Sequence, residues 1–265
     1  MKPKILVTRK ISDIAEKYLK EKFDVSLNLK DEAIPYENLA KICNEYEGVI
    51  AASWDKFDSN FFNAMNGKLK IIASIAVGYD NIDIEAAKNK KIIITNAPNV
   101  LNDAVAETTL LLMLGAARRA YEGLMLVKSG KWKDAKVDFT NFMVGKPLTG
   151  KTLGIVGMGR IGKIVAERAK GFGMKIIYYN RKKILTDMEA GAKYYESING
   201  MMPHCDFVSI HCPATPETKN ILNKEAINLL PSNAIVINTS RGMTVDDNAL
   251  IEALENKKIY AAGLD

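Results

Sequence analysis

Three glycines at fixed spacing constrain this 265-residue chain more than any other feature. Gly157-Met158-Gly159-Arg160-Ile161-Gly162 follows directly on the apolar run Thr152-Leu153-Gly154-Ile155-Val156. A lone G-x-G-x-x-G is a weak signal, but a strand before it and a helix after it give it force. Gly157 then permits a tight turn, Gly159 lets the backbone approach a pyrophosphate, and Gly162 lets the helix pack on the strand. The amides of this stretch, those of Met158, Arg160 and Ile161 included, face an anion at a helix N-terminus.

Around this turn, short apolar strands alternate with amphipathic helices from end to end, the pattern of parallel α/β sheets. The sequence predicts strands at 5–7, 23–25, 49–51, 71–73 and 92–94, with helices such as 12–22 and 36–45 between them. Ser12 or Asp13 caps the first helix. Asn96-Ala97-Pro98-Asn99 breaks the pattern, and a long helix is expected over about 103–127, capped by Asn102 or Asp103. It is apolar nearly all round at Leu110–Ala117, so burial between domains or subunits is expected. The alternation restarts with strands at 152–156, 175–179, 207–210, 234–238 and 259–264, and a helix over 161–171. The fold class is α/β, with two doubly wound parallel-sheet domains, 1–98 and 99–265. Trp132, Phe139 and Phe142 lie in an aperiodic stretch where an exposed loop would not need large aromatics. A homodimer through the region from Asp103 to Gly150 is therefore expected.

The second strand after the restart ends Tyr179-Asn180-Arg181-Lys182. Asn180 stands where an NAD-specific protein places an acid for the ribose hydroxyls. A carboxylate would repel a 2′-phosphate; an amide does not, and Arg181 and Lys182 can pair with one. The expected cofactor is NADP(H) in preference to NAD(H).

The net charge of +6 could suggest nucleic acid, but the lysines fall in twos and threes among acids, with no basic stripe or interleaved aromatics. The longest apolar run, Leu110–Ala117, is far short of a membrane span. The start, Met1-Lys2-Pro3-Lys4, shows no signal-peptide pattern. Cys43, Cys205 and Cys212 are odd in number and form no C-x-x-C, which argues against disulfides or zinc. A cytoplasmic protein without metal, nucleic-acid or membrane partner is the expectation.

Several stretches, taken in order, carry a specific likeness: Ala76-Val77-Gly78-Tyr79-Asp80-Asn81, Asn96-Ala97-Pro98-Asn99-Val100, Ala104-Val105-Ala106-Glu107, Gly157 to Gly162, His211-Cys212-Pro213 with Thr215-Pro216-Glu217-Thr218, and Asn238-Thr239-Ser240-Arg241-Gly242. Over nearly everything from Lys70 to Asp265 the chain resembles the D-isomer-specific 2-hydroxyacid dehydrogenases, and most of all their glyoxylate/hydroxypyruvate reductase branch. The resemblance implies a flavodoxin-like substrate domain joined to a Rossmann NAD(P)-binding domain, and reduction of a small 2-keto acid to the D-2-hydroxy acid. It implies that the loop Val77-Gly78-Tyr79 grips the substrate carboxylate with backbone N–H groups. Arg241 would be catalytic, bridging carboxylate and carbonyl with its fork of donors. Val105 and Pro213 would wall the nicotinamide, with Cys212, Thr218, Thr239, Ser240 and Asp265 also on the cofactor. Ser53 and Trp54 could border the substrate mouth.

The family's proton donor is a histidine backed by a glutamate, in the segment that follows Asp265 in its members. His204 and His211 are the histidines here; His211 matches a position beside the cofactor, and neither matches that acid. The expectation is that this chain is incomplete and inactive as it stands. It would lack a last strand of the cofactor domain and the return segment of the substrate domain. The competing reading is a non-catalytic dinucleotide sensor or partner-binding protein on the same fold.

Overall fold

The computed structural model describes residues 1–134, 141–185, 189 and 191–265. It divides into two compact units, Met1–Leu101 and Asn102–Asp265.

In the first unit the strands β1 (Lys4–Val7), β2 (Asp24–Leu27), β3 (Gly48–Ala51), β4 (Ile71–Ser74) and β5 (Ile93–Thr95) alternate with helices. These are α1 (Asp13–Lys22), α2 (Tyr36–Cys43), α3 (Ser59–Asn63) and α4 (Ile84–Asn89). All strand pairs are parallel, in the order β2-β1-β3-β4-β5. That is the flavodoxin-like order, which turns direction between β1 and β3 and gathers ligand loops at the strands' C-terminal ends. Leu39, Phe57, Phe61, Phe62 and Ile72 fill one face; Ile5, Val7 and Leu19 fill the other. Ser12 caps α1 by accepting from Ala15 N–H, and Asp58 and Asp83 cap α3 and α4 in the same way.

The second unit carries β6 (Thr152–Val156), β7 (Lys175–Tyr179), β8 (Lys193–Tyr195), β9 (Phe207–Ile210), β10 (Ile235–Asn238) and β11 (Ala261–Leu264). Its helices include α5 (Asn102–Ala117), α6 (Ala120–Lys128), α7 (Arg160–Gly171), α8 (Ile198–Met201), α9 (Lys224–Leu229) and α10 (Asp247–Glu255). Among the described residues the sheet order is β11-β10-β9-β6-β7-β8, all parallel. Read from β6, this is the 3-2-1-4-5-6 order of a doubly wound dinucleotide fold, whose switch point lies between β6 and β9. Both faces of β9 and β10 are buried, which is why their sequences are mainly apolar rather than alternating, with Ser209 and Asn238 as the buried polar positions.

The structure corrects the helix expected over 103–127, which is two helices. Arg119 sits at φ 57°, ψ 36°, a left-handed break between α5 and α6. The cause is distant in sequence: Lys146 N–H donates to the Ala117 carbonyl at 2.7 Å, and Gly145 passes so close that a Cβ there would lie 2.5 Å from that oxygen. Asn102 and Asp103 lie inside the first turn of α5, where Asp103 pairs with Arg168 on α7. Ala106, Thr109, Met113 and Ala117 face the core, but Leu111 is exposed and α6 buries none of its residues. The strand Lys193–Tyr195 is absent from the sequence reading; it is three residues long and lies at the sheet edge. Trp132 and Phe142 rings meet at 5.8 Å, whereas Phe139 lies outside the described residues.

Candidate functional site

The three glycines occupy sterically different positions. Gly157 has φ 101°, and a Cβ there would come within 2.6 Å of the Cys212 nitrogen, so the turn after β6 is pressed against the turn after β9. A Cβ on Gly162 would run into the Gly157 carbonyl oxygen. Gly159 is different, because nothing lies within 4 Å of where its Cβ would stand. That open space is above the N-terminus of α7, where Gly159 is the N-cap and no side chain satisfies the first amides. An anionic group held by backbone N–H groups fits there.

A cavity of about 660 Å³ opens from this turn. It brings together Gly157, Gly159, Asn180, Arg181, Lys182, Cys212, Pro213 and Thr218 from the sequence-predicted set. His211, which the resemblance places beside the cofactor, lines it too, and Val156, Tyr179, Thr215 and Ile221 also line it and were not in that set. Tyr179 and Ile221 carry only hydrophobicity in sequence, which marks core as readily as a pocket wall. Met158, Arg160, Ile161 and Gly162 are not on the cavity wall: Met158 is core, Ile161 packs against it, and Arg160 is exposed.

Asn180 holds a second task. Its Oδ1 accepts the Met158 N–H at 2.7 Å, tying the end of β7 to the glycine turn. Of the carboxamide, the NH2 donor edge then remains for a ligand. Arg181 and Lys182 follow and are exposed. The Thr218 hydroxyl is engaged internally: it donates to the Pro213 carbonyl at 2.6 Å and accepts from Thr215 N–H at 2.8 Å, fixing the turn after β9. The Cys212 thiol is pushed up to about 11 by burial, so it is a packed apolar group and not a nucleophile.

His211 lies at the cavity wall with its Nε2 2.8 Å from Ser209 Oγ. Burial lowers its pKa to about 4, which makes it neutral at physiological pH and unable to act there as a proton donor of imidazolium type. His204 is exposed, with its ring 5.5 Å from Tyr195.

At the C-terminal end of β10, Thr239 is buried and shares a hydrogen bond of 2.9 Å with Thr109 on α5. Ser240 Oγ accepts the Arg241 N–H at 2.6 Å, and the Arg241 carbonyl receives Asn238 Nδ2 at 2.9 Å and Thr244 Oγ1 at 2.7 Å. The backbone of Arg241 is thereby fixed on three sides while its side chain stays exposed. Val105 lies in the first turns of α5, its carbonyl accepting from Thr109, and Asp265 N–H bonds the Asn238 carbonyl at 3.0 Å.

In the first unit, Val77-Gly78-Tyr79 follows β4, at the same end of the sheet as the turns after β1 and β3. Ser74 Oγ accepts Ala76 N–H, and Asn96 Nδ2 donates to the Val77 carbonyl at 2.7 Å. Asn81 Nδ2 donates to the Asp55 carbonyl at 2.7 Å. These bonds hold the loop from both flanks through carbonyls and side chains. Among the described residues, the N–H groups of Val77, Gly78 and Tyr79 donate to no partner, which leaves a short row of donors. Trp54 is exposed after β3, its ring 5.4 Å from the Arg9 guanidinium.

Residues 110–265 match the model of the D-isomer specific 2-hydroxyacid dehydrogenase NAD binding domain. The glyoxylate reductase of Thermococcus litoralis is 45% identical over all of this chain and 80% of its own length. Among solved structures, a glyoxylate reductase from Paecilomyes thermophila superposes with a TM-score of 0.89 at 31% identity, over 100% of this chain and 81% of its own. The NADPH-dependent glyoxylate/hydroxypyruvate reductase of Sinorhizobium meliloti, solved with NADP and malonate, gives 0.86 at 30% identity, over 100% of this chain and 79% of its own. The Rossmann order of the second unit, its glycine turn and these matches agree, and the chain belongs to the D-isomer-specific 2-hydroxyacid dehydrogenase family.

Proposed function

We propose that this protein reduces a small 2-keto acid of the glyoxylate/hydroxypyruvate class to the D-2-hydroxy acid, with NADPH in preference to NADH. The observation that carries the reading is the cavity at the glycine turn, whose ribose-binding position is Asn180 followed by Arg181 and Lys182. NADPH, when bound, supplies the hydride. The chain's own residues would hold it: Gly157 to Gly162 would take the pyrophosphate, Pro213 and Val105 would flank the nicotinamide, and Asp265 would stand by its carboxamide. Val77, Gly78 and Tyr79 offer N–H donors to the substrate carboxylate, and Arg241 offers a guanidinium to the carboxylate and to the carbonyl oxygen as it gains charge. The S. meliloti enzyme, crystallised with NADP and a dicarboxylate, supports both choices of ligand.

Neither histidine suits the role of proton donor, since His211 is neutral and His204 is exposed and not on the cavity wall. The test is NADPH oxidation at 340 nm with glyoxylate, using the protein isolated from its own cells. Turnover faster with NADPH than with NADH supports the reading. Tight NADPH binding with no turnover of any 2-keto acid overturns it in favour of a dinucleotide sensor.

The assembly we propose is a homodimer through α5, α6 and the stretch up to Gly150. Tyr121, Leu124, Met125 and Val127 put an exposed apolar surface on α6, with Tyr121 72% exposed. The cytoplasmic assignment rests on three cysteines that are unpaired and buried.

A further inference from the structure

We propose that Tyr178 and Tyr194 form a bracket that sets the protein's discrimination between adenosines with and without a 2′-phosphate. The inference rests on the NADPH preference proposed above and assigns a positioning role to two residues that do not themselves line the cavity. Tyr178 on β7 and Tyr194 on β8 are register partners across two parallel strands, and their rings meet at 5.3 Å. Their hydroxyls reach the two ends of one short loop. Tyr194 Oη donates to the Asn180 carbonyl at 3.3 Å, and Tyr178 Oη accepts the Ile184 N–H at 3.3 Å. Between those two anchors stand Arg181 and Lys182, the cations that face the cavity.

The direction of the Tyr178 bond is itself fixed. Tyr178 is fully buried and donates its proton to Glu189 Oε1 at 2.7 Å. Its oxygen lone pairs are therefore turned to Ile184, and rotation of the hydroxyl would break a buried charge-assisted bond. Glu189 is buried too, and Lys183 from the same loop stands 3.6 Å from its carboxylate. The carboxylate so draws the loop down from a second point. Arginine and lysine side chains carry much rotamer freedom, and a phosphate gains most from them when their backbone is already held. The remainder of the dinucleotide binds on the glycine turn, which is fastened by the Asn180 side chain and not by the Asn180 carbonyl that Tyr194 bonds or the Ile184 N–H that Tyr178 bonds.

The two hydroxyls therefore bear on NADPH and little on NADH. The experiment is calorimetric titration of the protein with NADPH and with NADH, for wild type, Tyr178→Phe and Tyr194→Phe, each variant first checked for a cooperative thermal transition. The expected result is a threefold to tenfold weaker NADPH in each variant with NADH changed less than twofold. Equal weakening of both cofactors, or none, in folded variants of a wild type that prefers NADPH overturns the bracket alone. A wild type that binds NADH as tightly as NADPH overturns the preference, and the bracket with it. Should Tyr178→Phe fail to fold because Glu189 loses its buried donor, Tyr194→Phe carries the same reading, since its hydroxyl bonds a half-buried carbonyl and no charge.

Discussion

The substitution Asn180→Asp separates two tasks that the residue performs. One is structural: Oδ1 accepts the Met158 N–H at 2.7 Å, and a carboxylate oxygen can accept that bond equally well. The other is toward the ligand, where the amide NH2 would become a second anionic oxygen. Two unit charges about 4 Å apart at an effective dielectric near 20 repel by about 4 kcal/mol, and the cavity's open mouth and salt reduce this to roughly 1–3 kcal/mol. A ribose 2′-hydroxyl instead gains a hydrogen bond to a charged acceptor, about 1–2 kcal/mol net. The ratio of NADPH to NADH affinity should therefore fall by roughly 30-fold to a few thousandfold, weaker NADPH and tighter NADH both lowering it. The melting temperature should stay within a few degrees. Asn180→Ala is the control, because it deletes the clamp without adding charge. It should weaken both cofactors together and cost about 1 kcal/mol of stability. Calorimetric titration of wild type and both variants with each cofactor reads the affinities, and thermal unfolding reads the stabilities. An aspartate variant that still prefers NADPH by the wild-type ratio would refute the reasoning, as would an alanine variant that shifts the ratio as far as aspartate does.

The glycines should part company under alanine substitution. Gly159→Ala meets open space and should keep wild-type stability while weakening NADPH at least tenfold, whereas Gly157→Ala, at φ 101° and 2.6 Å from Cys212, should lose several kcal/mol; urea unfolding and cofactor titration distinguish them. The burial of His211 makes stability depend on pH with a definite sign. Its folded pKa of about 4 lies below the ordinary value of 6.5, so the unfolded chain binds the proton first and stability falls as pH drops from 6.5 toward 4, by roughly 1–3 kcal/mol. Urea midpoints across that window should show the slope, and His211→Gln should flatten it. On α6, Leu124→Glu should convert a sedimenting dimer to monomer without changing the far-ultraviolet circular dichroism, and a wild type that sediments as a monomer at micromolar concentration removes the proposed assembly.

How much of this was legible in sequence follows from how far each determinant reaches along the chain. The glycine turn is readable because strand, turn and helix are contiguous, and each glycine's steric task concerns neighbours within five residues or the adjacent strand end. The parallel alternation is readable for the same reason: the segments 152–156, 207–210 and 235–238 are buried on both faces almost throughout and leave a mainly hydrophobic signature. What escapes is set by contacts across the fold. The break between α5 and α6 comes from Gly145 and Lys146 arriving at the Ala117 carbonyl, and no local propensity at Arg118-Arg119 announces it. Thr239 looks like a free hydroxyl after a strand, but its bond goes to Thr109, 130 residues earlier. Asn180 shows the limit most sharply. From sequence it is the absence of an acid; in the fold its oxygen is a fastener of the glycine turn, and only its nitrogen is offered outward. A position read as a selectivity determinant is thus also a structural one, and a family member could exchange aspartate for asparagine there without disturbing the turn. The chemistry at that position can change because the fold asks only for an acceptor.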